Sequence, residues 1–278
     1  MEAVIEMENT NTMPDNELEQ RYKRYKEILK NLTIMSDIFM RNVFKKRECV
    51  EYVLRIIMEK TNLQVLEQII QMDYKNLQGR SAILDCVARD NEDKRYNVEI
   101  QQEREGASYK RARYHSSLLD MNTLNPGQNY EELSESYVIF ITRDDVVGKG
   151  LPIYHADRYI RETGEIFGDG SHIIYVNSKA QDINTELGQL MHDLHCKDAK
   201  EMYSETLAQR VFELKETEEG IDNMCEEMEK IYGEGEVRGE LRKAQKIARL
   251  LASEGDSVEK IARVLSESET TIKKWLEE

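Results

Sequence analysis

The sequence is poor in the residues that punctuate, staple or anchor a chain. Only 3 of its 278 residues are proline, too few for a Pro-rich linker. Its 4 cysteines (Cys49, Cys86, Cys196, Cys225) are scattered with no CxxC pair. That pattern reads as reduced thiols in a cytosolic protein, not as a disulfide framework. No apolar run approaches the roughly 18 residues of a membrane-spanning helix, and the longest candidate, Tyr137 to Ile141, is strand-sized. Met1 to Glu8 is acidic and lacks the basic-then-apolar order of a secretory signal. Gly148-Lys-Gly150 lacks the spacing of a phosphate-binding loop, so no nucleotide cofactor is expected. No serine–histidine–acid set stands out. His192-x-x-His195, with Cys196 beside it, lacks the glutamate of HExxH and a second cysteine at ligand spacing, and reads as plain helix surface. Solenoid repeats are also missing. These absences leave a soluble, cytoplasmic protein with no membrane partner.

What is present is enough apolar residue, 40%, to build a core, and a net charge of -15 that is unevenly spread. Residues 1–20 hold six acids and no base, and residues 185–236 hold fifteen acids against five bases. Residues 237–278 hold nine bases against eight acids, which leaves 21–184 neutral. The acidity therefore belongs to the head and one late segment, and a locally basic surface elsewhere is compatible with it.

The opening residues, 1–16, are polar, acidic and aperiodic and read as a disordered head. Helical spacing begins near Glu17 and runs to Leu32. A second helix follows Ser36, which with Asp37 forms an N-cap signal, and a third is marked by Val50, Val53, Leu54, Ile57 and Met58. The period then changes. Val65–Tyr74, Ser81–Arg89 and Arg95–Gln102 read as strands, joined by turns at Asn76–Arg80 and Asp90–Lys94. Residues 107–124 look helical, and Tyr137–Thr142 is an apolar run fit for a central strand. Ile153–Ile160 and His172–Val176, joined across the glycine-rich 164–170 stretch, suggest a hairpin. Helical periodicity resumes near Thr185, Gly233–Gly239 marks a boundary, and the tail is helical again. The order is that of an α/β fold.

The informative feature is the pair of strands around the 90–94 turn. If Asp90–Lys94 forms a five-residue loop, Arg89 opposes Arg95 and Asp85 opposes Glu99, with Gln101 on the same face. A two-residue Glu92-Asp93 turn would put the carboxylates on opposite faces. Carboxylates about 5 Å apart repel unless a cation or a shared proton relieves them. Hard oxygen ligands suit Mg²⁺, which polarises phosphodiesters and lowers the pKa of a bound water. The plain alternative is an exposed acidic face on a surface hairpin.

Asp85, followed by Glu99-Ile-Gln101 within a strand–turn–strand that follows helices, resembles the PD-(D/E)XK nuclease superfamily. The segments Ser36–Phe44, Ala82–Cys86, Tyr96–Gln101, Arg111–Ser116, Gln128–Leu133, Phe167–Asn177 and Leu190–His195 together are similar to the PD-(D/E)XK nuclease family transposases, relatives of the recombination-promoting nucleases. The resemblance spans roughly residues 30–235. It implies a restriction-endonuclease-like core, a mixed sheet flanked by helices, with a helical C-terminal extension. It further implies that Asp85 and Glu99 ligate Mg²⁺, for which Mn²⁺ can substitute, together with the carbonyl of Ile100. Gln101 stands where most relatives carry lysine. Glutamine can hydrogen-bond the attacking water but brings no charge, which Lys110, Arg111 or Arg113 on the next helix would supply, Arg111 fitting the family pattern best. Asp37 reads either as a further metal-shell carboxylate or as a helix N-cap. Lys110, Arg113 and Tyr114 suit contacts to double-stranded DNA or form an ordinary solvated face.

In the tail, Asp256–Leu265 and Glu269–Leu276 read as two short helices, with Asp256 and Glu259 at capping-box spacing and a break at Ser266–Ser268. Val258, Ile261, Ala262, Leu265, Ile272, Trp275 and Leu276 can bury one shared face. The pair reads as a helix-turn-helix presenting Thr270, Thr271, Lys273 and Lys274 to DNA, or as a plain helical hairpin used for dimerisation. The expected organisation is thus a head (1–16), a nuclease-like domain (17–182), an acidic helical extension (183–235) and a helical tail (236–278). The expected activity is metal-dependent DNA hydrolysis at the nucleoid, by a homodimer if both strands are cut. The rival is a catalytically inactive DNA-binding or regulatory protein that retains the fold.

Overall fold

A computed structural model describes residues 15–74 and 82–277. The expected turn at Asn76–Arg80, and the expected head apart from Asp15 and Asn16, lie outside the described residues. Asp15 and Asn16 themselves open a helix, α1 (Asp15–Asn31), which is followed by α2 (Asp37–Phe44) and α3 (Arg47–Ile57). Val50, Val53, Leu54 and Ile57 are buried along α3, the i, i+3, i+4 stripe that the sequence spells out.

A six-stranded sheet follows: β1 (Val65–Tyr74), β2 (Ala82–Asp90), β3 (Arg95–Gln101), β4 (Ser136–Thr142), β5 (Ile153–Ala156) and β6 (Ser171–Asn177), in the spatial order β1-β2-β3-β4-β6-β5. β1, β2 and β3 are antiparallel neighbours, β3, β4 and β6 run parallel, and β5 returns antiparallel on β6. The sheet is therefore mixed. Every residue of β4 is buried, because a strand covered on both faces carries apolar side chains at both parities. Helix α4 (Tyr109–Met121) makes the crossover from β3 to β4 and covers one face. Its Ala112 packs with Val138, Phe140 and Tyr175, while Leu118 and Leu119 meet Leu84 and Val87. Helices α2 and α3 pack on β1 and against the later helices α5 (Glu186–His195) and α6 (Glu205–Glu216).

The 90–94 loop has the odd length the carboxylate alignment requires. Arg89 pairs with Arg95, Ala88 with Tyr96, Val87 with Asn97 and Cys86 with Val98. The buried Asp90 holds the loop: Oδ1 accepts from the amides of Glu92 and Lys94, and Oδ2 accepts from the Tyr96 hydroxyl at 2.7 Å. Asp93 takes the left-handed backbone (φ 63°) that closes it.

The chain divides into two compact units, 1–221 and 222–278. Gly233–Gly239 does not interrupt the backbone as expected: α7 (Glu218–Ser253) is helical throughout. A glycine in a helix costs about 1 kcal/mol against alanine, too little to break a run otherwise rich in Glu, Lys, Arg and Leu with i, i+4 pairs such as Glu234 and Arg238. Helices α8 (Val258–Leu265) and α9 (Glu269–Glu277) complete the second unit. The capping residue of α8 is Ser257, whose hydroxyl accepts from the Lys260 amide; Asp256, expected in that role, pairs with the Lys260 ammonium instead. Among the described residues no helix is long and apolar enough to cross a membrane.

Candidate active site

β2 and β3 stop pairing at Cys86 and Val98, while β3 goes on pairing with β4 as far as Gln101 and Thr142. Asp85 and Glu99 sit where the strands part, and their side chains replace the missing ladder bonds. The Asp85 amide donates to Glu99 Oε1 at 3.2 Å, and the Ile100 amide donates to Asp85 Oδ2 at 3.3 Å. The expected alignment of the two carboxylates is thus present, and they are not an exposed acidic face. Glu99 is fully buried, and its Oε2 accepts no hydrogen bond. Burial, with the charges of Glu99 and then Asp37 close by, pushes the Asp85 carboxyl up to about 8; the Ile100 amide and Arg111 oppose this.

Asp37 opens α2, and its carboxylate is paired to Arg41 in the next turn. The residue in the N-cap position is Ser36. The loop before α2 is tied to the site, because Gln102 Nε2 donates to the Met35 carbonyl at 2.9 Å. The Gln101 side chain lies against Gly106, where a Cβ would stand 2.2 Å from Gln101 Oε1. Glycine at 106 gives that amide its room.

Arg111 comes from the first turn of α4, which Ser108 caps by accepting from the Arg111 amide. Its Nη2 stands 3.5 Å from Glu99 Oε2, and its Nε donates to His115 Nε2 at 3.3 Å. His115 Nδ1 lies 3.4 Å from Glu99 Oε1 and 3.4 Å from Asn97 Nδ2. His115 is buried and links Arg111 to Glu99, a role the sequence reading did not give it. Its spacing from Arg111 (i, i+4) was the available signal, since such residues share a helix face.

Lys110, Arg111, Tyr114 and His115 line a cleft of about 670 Å³ with Ala82, Ile83, Ser108 and the acidic Glu105, and Asp85 and Glu99 are not part of that lining. Tyr114 also packs on the cluster around Leu84. Arg113 is exposed but is not part of this lining. The first turn of α4 holds two bases and no acid, against the preference of a helix N-terminus for negative charge.

The His192 region is not plain helix surface. His195 bonds Ser178 at 2.9 Å, and burial lowers its pKa. Cys196 is buried 3.3 Å from His192 Nδ1, and with Asp193 these form a close His–Asp–Cys group. Both Asp193 oxygens accept backbone amides, from Tyr203 and Ser204 at 2.8 Å, so this carboxylate secures the chain entering α6.

The donor set at Asp85, Glu99 and the Ile100 carbonyl fits a hard divalent cation. All donors are oxygens, one buried carboxylate oxygen lacks a hydrogen bond, and burial, with the charge of Glu99 second, holds a proton on the neighbouring Asp85. Compared with models of known families, residues 52–246 match the PD-(D/E)XK nuclease family transposase. That span includes Asp85, Glu99, Gln101 and Arg111 and leaves Asp37, α8 and α9 outside. Neither the curated proteins nor the solved structures contain a match.

Proposed function

The chain belongs to the PD-(D/E)XK nuclease family transposases, and on that premise we propose that it is a Mg²⁺-dependent DNA endonuclease that hydrolyses phosphodiester bonds at Asp85 and Glu99. Nucleases of this superfamily generally use divalent metals. The observation that carries the reading is the buried Glu99 oxygen, without a hydrogen bond and with only the Arg111 guanidinium at 3.5 Å, beside an Asp85 whose proton is retained by burial and then by the charges of Glu99 and Asp37. Asp85, Glu99 and the Ile100 carbonyl hold the ion, with Asp37 adding negative charge near it. When bound, the ion supplies a lowered water pKa and positive charge at the scissile phosphate. Gln101 orients the attacking water through its amide, and Arg111 balances the charge that develops on the phosphate. Lys110 and Tyr114 hold the DNA strand in the cleft, and Arg113 reaches phosphates beyond it. Cutting both strands would bring two copies of the chain together, one on each strand.

The test is cleavage of supercoiled plasmid by the purified protein with Mg²⁺, with EDTA, and with Glu99→Ala. Nicking or linearisation that needs both the ion and Glu99 supports the reading. Cleavage that survives in the variant rejects this site. DNA binding with no cleavage under any metal condition selects the inactive DNA-binding alternative, with which the glutamine at 101 and the net acidity are also compatible.

A further inference from the structure

The second unit has a small core of its own. Ala248 near the end of α7, Ile261 and Ala262 of α8, and Ile272 and Trp275 of α9 are buried together, with Ala244, Leu251, Val258 and Leu265 packed at the edge. The apolar face that a two-helix hairpin would offer to a second copy is thus covered from within the unit by α7. That accounts for the apolar face of α8 and α9 without a second copy, while Val264 of α8 and Leu250 of α7 stay exposed.

The connections are those of a tight three-helix unit. Gly255 (φ 91°) ends α7, with the Asp256 amide bonded to the Leu251 carbonyl and the Gly255 amide to Ala252. Ser266 (φ 55°) ends α8 in the same left-handed conformation, with the Glu267 amide on the Ala262 carbonyl. It occupies the place where helix-turn-helix turns often carry glycine. Ser268 then caps α9 by accepting from the Thr271 amide. Three residues, Ser266–Ser268, separate the two helices.

The outward face of α9 is polar. Thr270, Lys273 and Lys274 are exposed, whereas Thr271 is half-buried with its hydroxyl 2.8 Å from that of Ser268. Arg263 is exposed on α8, while Lys260 is paired with Asp256 and Arg249 with the Trp275 carbonyl. Glu267 and Glu269 stand near the start of α9 and oppose indiscriminate attraction to phosphate.

We propose that α7, α8 and α9 form a helix-turn-helix that reads duplex DNA, with α9 in the major groove and Thr270, Lys273 and Lys274 as its contacts. Threonine and lysine are side chains that pair with base edges and phosphates there. Target choice then resides in 222–278, apart from the cutting chemistry, and the inference does not depend on the nuclease reading.

The experiment selects sequences from a random duplex pool with the full chain in EDTA, then measures affinity for the selected duplex against salt by fluorescence anisotropy. The wild type enriches a defined motif. Lys273→Ala with Lys274→Ala weakens binding to it by about tenfold or more and lowers the log–log salt slope by about two. Circular dichroism melts of this double variant match the wild type, since both side chains face solvent. A pool that yields no motif, or a variant that binds like the wild type, overturns the proposal. So does a variant that loses a dimer in light scattering while keeping its DNA affinity. Motif binding that persists when plasmid cleavage fails leaves this proposal standing and removes only the nuclease reading.

Discussion

At Asp85 burial, with the charges of Glu99 and Asp37 close by, raises the carboxyl pKa to about 8. The sign of the consequence is fixed. Between about pH 4 and pH 8 the folded, metal-free chain keeps a proton that the unfolded chain has released, so stability falls as pH rises through that window. Asp85→Asn removes the penalty and keeps an acceptor for the Ile100 amide. In EDTA at pH 8 this variant is expected to melt higher than the wild type, with the gap closing towards pH 4; parallel melting temperatures across that range would refute the account. His115 shapes the same site through its neighbours, with one nitrogen facing Arg111 and the other facing Glu99. His115→Ala is expected to slow cleavage by about 10- to 100-fold, the range for residues that orient metal-binding groups, while DNA affinity in EDTA holds. His115→Gln keeps a polar contact and recovers part of the rate. Equal loss of affinity and rate would place His115 in binding instead.

Among the elements, the β2–β3 hairpin decides whether there is a site. Its five-residue loop sets the parity that brings Asp85 and Glu99 to one face, and a slip of one residue would send one carboxylate to the other side. Asp90 holds that length with three accepted hydrogen bonds. Asp90→Ala leaves two loop amides and a buried tyrosine hydroxyl without their acceptor, a loss of about 1–3 kcal/mol in urea unfolding. Its metal-dependent cleavage should fall as well, because the register loosens. A variant with unchanged stability would show that strand pairing alone sets the loop. Lys215 of α6 ties that helix to the chain before α2 and to the chain after α5 by donating to the Leu32 and Lys197 carbonyls, both at 2.6 Å. Burial lowers its pKa to about 8.

The whole chain carries a net charge of -15, so the DNA binding proposed above rests on local surfaces. The bases of α4 and the outer face of α9 are the two proposed, one in each compact unit. An ion that binds only the folded state also stabilises the molecule globally, by about 2.7 kcal/mol at a hundred times its dissociation constant. Mg²⁺ is therefore expected to raise the melting temperature by several degrees at pH 8, where it relieves the repulsion at Asp85, and Glu99→Gln should abolish the rise. A shift of equal size in that variant would put the ion elsewhere. Much of this molecule was written in its sequence. Helical periodicity located α1 to α4, strand-like runs between turn residues located β1 to β3, and a continuous apolar run located β4, because which residues are apolar follows from which faces are buried. Asp85 and Glu99 align only for an odd-length loop, which spacing left open against a two-residue turn and the observed Arg89–Arg95 pairing supplies. Long-range packing decided what spacing could not. His115 became part of the site only when α4 folded across β3. Asp193 turned inward because α6 needed its amides bonded, and α7 ran through its glycines because their cost was small against the helix around them. The tail's apolar face found its cover in a helix that precedes it, a contact that local spacing does not encode, because burial depends on what the rest of the chain brings alongside.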